Sequence, residues 1–408
     1  MSTTFSVDGG RPLRGRLRVP GDKSISHRAM LLAARAEGTS VVRGLSTGDD
    51  VVRTRVAMET MGAVVEGERI TGGVDRLHEP AGIVDVGNSG TGIRLLAGFC
   101  APFPWRTVLQ GDASVSTRPM DRVASPLREM GARVAEEYPP LVINGGGLHG
   151  IDYTVPMASA QVKSCVLLAG LGAEGETVVR ESTPTRAHTE ELLAMAGADI
   201  SVDGLVVRLR PSRLQPFELD VPGDPSQAAF WVVAAVITPG SEVVVENVYQ
   251  GPARSGFVDV LRRMGADITN EGGDLVARSS ALHGTDVAAE EIPSLDEVPI
   301  LAVAAAAAEG TTTFHDAGEL RIKESDRIAT TVEGLAGLGV RAEGEGDTLV
   351  VHGGGLRPGT VQSHGDHRIA MAMAVAGLSV EGRTRVEGWD AVATSYPTFE
   401  EDLRQCAS

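Results

Sequence analysis

Several short stretches of this chain carry side chains that could do chemistry on anions. Residues 20–28, PGDKSISHR, set Lys23, Ser24 and Arg28 at the opening of an apolar-periodic run. Residues 87–91, GNSGT, hold Asn88, Gly90 and Thr91, and residues 157–161, MASAQ, hold Ser159 and Gln161. Asp296 stands in PSLDE (293–297), His367 and Arg368 follow Asp366 in HGDHR (364–368), and RIKESDR (321–327) contains Lys323, Glu324 and Arg327. Arg118 in STRPMDR and Arg186 in TRAH complete the set. Cations at a helix start oppose the helix dipole, so a purely structural role explains them poorly. Unpaired N–H groups at the same place hold phosphates and carboxylates. A carboxylate among such cations can serve as proton acceptor or donor. Taken singly, Ser24, Thr91 and Ser226 read as helix caps, His367 as a neutral structural histidine, and RIKESDR as a solvated helix face. The joint pattern points to anion chemistry.

The elements that must position these groups come from a repeat. Met-Gly-Ala or a variant recurs with its glycine at Gly62, Gly131, Gly197, Gly265 and Gly339, at intervals of 69, 66, 68 and 74 residues. A fixed period of this size marks one supersecondary unit repeated, here six times. Each unit opens with small polar residues: PGDKS, GNSGT, MASAQ, PGDPSQ, PSLDE or HGDHR. An Ala/Leu/Val-rich helix follows and is expected to stop near Gly38, Gly98, Gly170, Gly240, Gly310 or Gly377. Next come a β-branched strand such as SEVVVEN (241–247), a second helix such as DRVASPLREMGA (121–132), and a strand pair. The sixth unit ends early, in a helix expected over TSYPTFEEDLRQ (394–405). Mixed units of this length group into compact domains rather than a solenoid, and two domains of three units are expected. The candidate residues then sit at helix starts, which must converge if they are to form one site.

Composition bounds the partners. The 408 residues carry a formal net charge of −17, which argues against a broad nucleic-acid surface, so any anion site must be local. The three cysteines, Cys100, Cys165 and Cys406, lack metal-ligand spacing and imply reduced thiols and a cytoplasmic setting. The longest apolar runs, such as 298–308, are too short to cross a bilayer. No export segment is evident, and a monomer is expected.

Together the strings GDKSISHRAMLLAA, GNSGTGIRLL, TRPMDR, SAQVKS, RIKESDR and GDHRIAMA resemble the enolpyruvyl transferase family, and within it 3-phosphoshikimate 1-carboxyvinyltransferases, also called EPSP synthases. The resemblance covers the whole chain in order. It implies an α/β fold of two domains, an inside-out barrel in which each domain holds three βαβαββ-type units. Residues 20–222 would form one domain, and residues 1–19 with 223–408 the other, with the active site in the cleft between them. It implies transfer of the enolpyruvyl group of phosphoenolpyruvate to the 5-hydroxyl of 3-phosphoshikimate. On this chain the shikimate phosphate would meet Lys23, Ser24, Arg28, Ser159, Gln161, Arg186, Asp296 and Lys323. Phosphoenolpyruvate would meet Lys23, Gly90, Arg118, Gln161, Arg327 and Arg368. Asp296 would take the hydroxyl proton, and Glu324 or Lys23 would serve the methylene carbon.

The reaction protonates a methylene carbon, adds an alcohol to its neighbour and expels phosphate from the resulting ketal, which calls for no metal or redox cofactor. The two substrates bring roughly −5 to −6 charge. Seven cations, Lys23, Arg28, Arg118, Arg186, Lys323, Arg327 and Arg368, less the acids Asp296 and Glu324, come close to balancing it. Two features depart from one branch of the family: Thr394 stands where that branch has a lysine, and Leu95 where it has proline. Gly90 stands where glyphosate-insensitive members have alanine, so some sensitivity to that herbicide is expected. Three alternatives remain. The related transferase acting on UDP-N-acetylglucosamine typically has a reactive cysteine in the loop before the Arg-Pro pair, and GDASVSTRP (111–119) has none. A non-catalytic anion-binding repeat protein would have no use for Asp296 and Glu324. An RNA-end cyclase fits poorly with the acidity of the chain.

Overall fold

A six-fold unit with the order strand, helix, strand, helix, strand, strand organises the chain in the computed structural model, which describes residues 3–251, 253–293 and 295–407. The chain divides into two units, Gly21–Val221 and Met1–Pro20 with Pro222–Ser408. The mixed α/β class expected from the sequence is the one observed.

The unit Gly21–Val221 contains three four-stranded sheets of identical plan. In one, Asp152–Thr154 runs parallel to Thr177–Arg180, which pairs antiparallel with Val206–Leu209, itself paired with Ile200–Asp203. Strands Val84–Asp85, Arg106–Gln110, Leu141–Asn144 and Arg133–Val134 repeat this order. So do Glu218–Asp220, Gly38–Arg43, Arg69–Gly72 and Val64–Glu66.

In the other unit, Arg14–Leu17 lends the parallel edge to Glu242–Val245, and Asp286–Ala288 does the same for Thr311–His315. The last sheet has three strands, in which Gly382–Glu387 lies between Thr360–Gln362 and the N-terminal strand Thr4–Gly9. The sixth repeat, short of residues at its own end, is thus completed from the start of the chain.

The first helix of each repeat is buried along most of its length, and several of these helices are apolar on nearly every side. Pro225–Ile237 is buried from Pro225 to Val236, and His367–Leu378 along its whole length. The strands alternate instead, as in Thr311–His315, where only Thr312 and Phe314 are buried. Each unit therefore buries its first helices while its strands keep one exposed face, which is consistent with the inside-out reading. No helix among the described residues is long and apolar enough to cross a membrane.

The Met-Gly-Ala signature has a mechanical origin. Met61, Met130 and Met264 cap the second helices and are buried, and the glycine after each has a positive φ, 106°, 110° and 106°. Only glycine adopts that left-handed turn without strain.

The first helices stop near the expected glycines, Gly90–Cys100 just after Gly98 and His367–Leu378 just after Gly377. At Gly98 packing also demands glycine: a Cβ there would lie 2.2 Å from the Cys165 carbonyl oxygen on helix Ala160–Gly170. One expectation needs correction. The final helix spans Phe399–Cys406, not 394–405. Tyr396 is wholly buried and accepts a hydrogen bond from Trp231 Nε1 at 2.9 Å, which holds the residues before Pro397 out of helical geometry. Because the Gly98 contact is backbone to backbone, Gly98→Ala should destabilise the protein by about 1–3 kcal/mol. Urea unfolding of this variant with a wild-type midpoint would show that the two helices are not in this contact.

Candidate functional site

The helix starts gather within each unit. In Gly21–Val221, Gly90–Cys100 and Ala160–Gly170 run parallel, since Gln161 Nε2 donates to Thr91 Oγ1 at 3.0 Å in their first turns and Gly98 meets Cys165 further along. Asp22, Ser89 and Ser159 cap the three first helices, accepting from Ile25, Gly92 and Val162 N–H groups. Ser24 is therefore not a cap. Its hydroxyl accepts from Arg186 Nη1 at 2.9 Å, and its carbonyl accepts from Arg28 Nη1 at 2.9 Å. Arg28 is buried and also donates to Thr189 and Ser164, both at 2.7 Å. Lys23 pairs with Asp50 at 2.9 Å.

Gly90 sits against a guanidinium, because a Cβ there would lie 2.7 Å from Arg118 Nη1. Arg118 donates to Asn88 Oδ1 and Ser114 Oγ at 3.0 Å each. Arg94, which the sequence reading passed over, donates to Gln161 Oε1 at 2.7 Å. Its position one helical turn after Gly90 was the available signal. Burial, then Arg122 and Arg118, pushes its pKa down to about 10. Arg94 and Arg118 thus lean on neutral acceptors, an arrangement that leaves their charge available to an anionic ligand.

The other unit is built differently. Arg327, buried at the start of helix Arg327–Gly337, spreads three carboxylates around one guanidinium. Nη1 donates to Asp296 at 3.0 Å, Nη2 to Glu324 at 2.5 Å, and Nε to Asp366 at 2.8 Å. Asp366 caps helix His367–Leu378, and Arg368 Nη2 lies 3.5 Å from Asp296 Oδ2. Asp296 is not the side-chain cap of helix Val298–Ala307, for which the structure has none.

The carboxylates respond to their setting. Burial raises the Glu324 pKa, but Arg327 and then His367 outweigh it and hold it below the ordinary value. Asp366 is also lowered, with Arg327 again outweighing burial. His367 is pushed down to about 4 by burial and then Arg368, so it is neutral, the structural reading of that residue.

Two candidate residues stand outside these networks. Lys323 pairs with Glu319 at 2.8 Å on the 3-10 helix Gly318–Ile322, since RIKE precedes the helix instead of lying in it. Thr394 donates to the Ala391 carbonyl at 2.7 Å. The charge balance drawn from sequence also needs correction: Asp50 and Asp366, omitted there, each neutralise a counted cation.

Fold and site together define an α/β protein of six repeats whose helix starts gather guanidinium groups and carboxylates. The profile of the family described as EPSP synthase (3-phosphoshikimate 1-carboxyvinyltransferase) matches residues 7–403, and the chain belongs to that family. It is 45% identical to the 3-phosphoshikimate 1-carboxyvinyltransferase of Bacillus thuringiensis subsp. konkukian over 97% of both chains. It is 47% identical to the one from Gloeobacter violaceus over 99% of both. Among solved structures, EPSP synthase from Acinetobacter baumannii superposes with a TM-score of 0.91 at 42% identity, covering 100% of this chain and 98% of that one.

A second buried histidine, His27, lies on the helix that carries Lys23 and Arg28, and burial above all pushes it down to about 3. The unfolded chain takes up this proton near pH 6.5 while the folded one does not, so stability falls as pH drops from about 6.5 toward the folded value. His27→Gln should reduce the loss of stability between pH 7.5 and pH 5 by about 2 kcal/mol. An unchanged slope in urea unfolding would show that the imidazole is not held neutral.

Proposed function

We propose that this chain transfers the enolpyruvyl group of phosphoenolpyruvate to the 5-hydroxyl of 3-phosphoshikimate, releasing phosphate, and that it does so as a cytoplasmic monomer. Family membership over nearly the whole chain supports the activity. The observation that carries the site reading is the single buried guanidinium of Arg327, which binds both carboxylates proposed to move protons, Asp296 and Glu324.

In this reading phosphoenolpyruvate binds Lys23, Gly90, Arg118, Gln161, Arg327 and Arg368. The shikimate phosphate binds Lys23, Ser24, Arg28, Ser159, Gln161, Arg186, Asp296 and Lys323. The neutral acceptors behind Arg94 and Arg118 suit a subsite that takes dianionic oxygens. Where Arg327 and Arg368 are concerned, an arriving anion must share guanidinium donors already engaged with Asp296 and Glu324. Sharing weakens the pull that holds Glu324 low, so its pKa rises on substrate binding and the group can carry the proton destined for the methylene carbon. Asp296, released in part by the same competition, takes the proton of the 5-hydroxyl as that oxygen attacks the adjacent carbon. The ketal then returns a methyl proton to the Glu324 carboxylate as it expels phosphate, which restores the double bond, and the cations stabilise the charge developing on the leaving group.

The acceptor could instead be UDP-N-acetylglucosamine, but the loop 111–119 holds no cysteine and the family match favours the shikimate substrate. Phosphate release measured with each acceptor separates the two, and release only with the UDP-sugar would overturn the reading. Asp296→Asn should lower kcat by about 10²–10⁴ while substrate binding persists; near-normal turnover removes it from the mechanism. Arg327→Lys keeps the charge but cannot serve three carboxylates from one planar fork. It should lose at least tenfold in kcat/KM for phosphoenolpyruvate, and a wild-type value would show that the fork is dispensable.

A further inference from the structure

Glu297 follows Asp296 directly, yet the two side chains turn apart. Asp296 keeps 25% of its side chain exposed and faces Arg327 and Arg368, whereas Glu297 keeps 3%. Its Oε1 accepts from Ser226 Oγ at 2.5 Å and lies 3.5 Å from Arg254 Nη1. Arg254, equally buried, donates through Nη2 to Asp224 Oδ1 at 2.6 Å, and Asp224 caps helix Pro225–Ile237. The backbone just before each partner is strained: Leu295 has φ +54° and Ala253 has φ +60°, both non-glycine residues. Such conformations persist only where surrounding contacts impose them.

Arg254 has a history legible in the chain. Arg118, Arg186 and Arg254 stand at equal intervals of 68 residues, each just before the second helix of its repeat. The first two hold neutral or hydroxyl partners, Asn88 and Ser114 for Arg118 and Ser24 for Arg186. The third is matched with two buried carboxylates, so its charge is spent on the scaffold. A buried ion pair of this kind is weak evidence for stability but a strong constraint on geometry, because either partner alone is costly.

We propose that Glu297, clamped by Arg254 and Ser226, is the positioning residue for Asp296. The clamp pins the backbone at residue 297 and forces the left-handed turn at Leu295. With both fixed, the carboxylate of Asp296 has one place to be, against Arg327 and Arg368. Glu297 touches no substrate and acts through its neighbour. The proposal rests on the reading of Asp296 as proton acceptor.

The test uses the full chain with both substrates. Glu297→Gln keeps an acceptor for Ser226 and removes the charge facing Arg254. It should lower kcat tenfold or more while both KM values stay within threefold. In the Asp296→Asn background the same change should lower kcat by less than twofold, because there is no base left to position. Ser226→Ala, a smaller lesion, should lower kcat at least threefold with the same pattern of KM. An equal loss in both backgrounds, or wild-type kcat in Glu297→Gln, overturns the proposal. Should Glu297→Gln fail to fold by circular dichroism, wild-type kcat in Ser226→Ala overturns it instead. Normal turnover in Asp296→Asn alone would sink the proton-acceptor reading first, and an impaired Asp296→Asn with a normal Glu297→Gln sinks only the positioning.

Discussion

A guanidinium cannot be buried without partners, and Arg327 meets that constraint with carboxylates from three separate segments of the chain. Asp296 comes from the opening of one repeat, Asp366 from the next, and Glu324 from the loop before the arginine's own helix. Removing any one leaves a donor of the buried guanidinium without its acceptor, so the three segments are held in register with one another. The same interaction gives the carboxylates their character. Arg327 holds Glu324 and Asp366 below their ordinary range against the opposing effect of burial, and it would cease to do so in proportion as a substrate anion takes its donors.

The repeats show how one scaffold yields different chemistry. Every first helix is largely buried, and within each unit the helix starts gather, so each unit offers three sets of N–H groups before any side chain is chosen. In the unit Gly21–Val221 the cations Arg94 and Arg118 rest on amide, hydroxyl and carbonyl oxygens. In the other unit the arginines are faced by carboxylates. Neutral partners leave a field for an anion, while acidic partners make a place where protons can be handled. The equal spacing of Arg118, Arg186 and Arg254 shows one inherited position put to both uses.

Much of this was legible in the residues. The period came through because the glycine after each second helix needs a left-handed turn, and buried helices such as Pro225–Ile237 because they are apolar on nearly every side. The cluster of Asp296, Glu324, Arg327 and Arg368 was named from helix starts and from a family resemblance. What stayed hidden were tertiary facts. Gly98 marks the end of its helix as its sequence suggests, but its further role, admitting the Cys165 carbonyl, depends on a helix 67 positions away. In the sequence Asp366 stands out only as the residue before His367 and Asp50 not at all, and only their partners reveal them as counter-charges. Arg254 shared the spacing of two chosen arginines, but nothing local distinguishes a cation awaiting a ligand from one already neutralised. Lys323 looked helical because a 3-10 turn has no sequence signature strong enough to separate it from the helix that follows.

The three-stranded sheet carries a consequence for how the chain is made. Strand Thr4–Gly9 is synthesised about 370 residues ahead of its hydrogen-bonding partner, Gly382–Glu387. Residues 21–221 can complete all three of their sheets once they have emerged, because no strand there borrows from outside. The early strand must therefore wait with an unpaired edge until residues 382–387 are made, so synthesis order and assembly order differ, and a chain ending before residue 382 would orphan it.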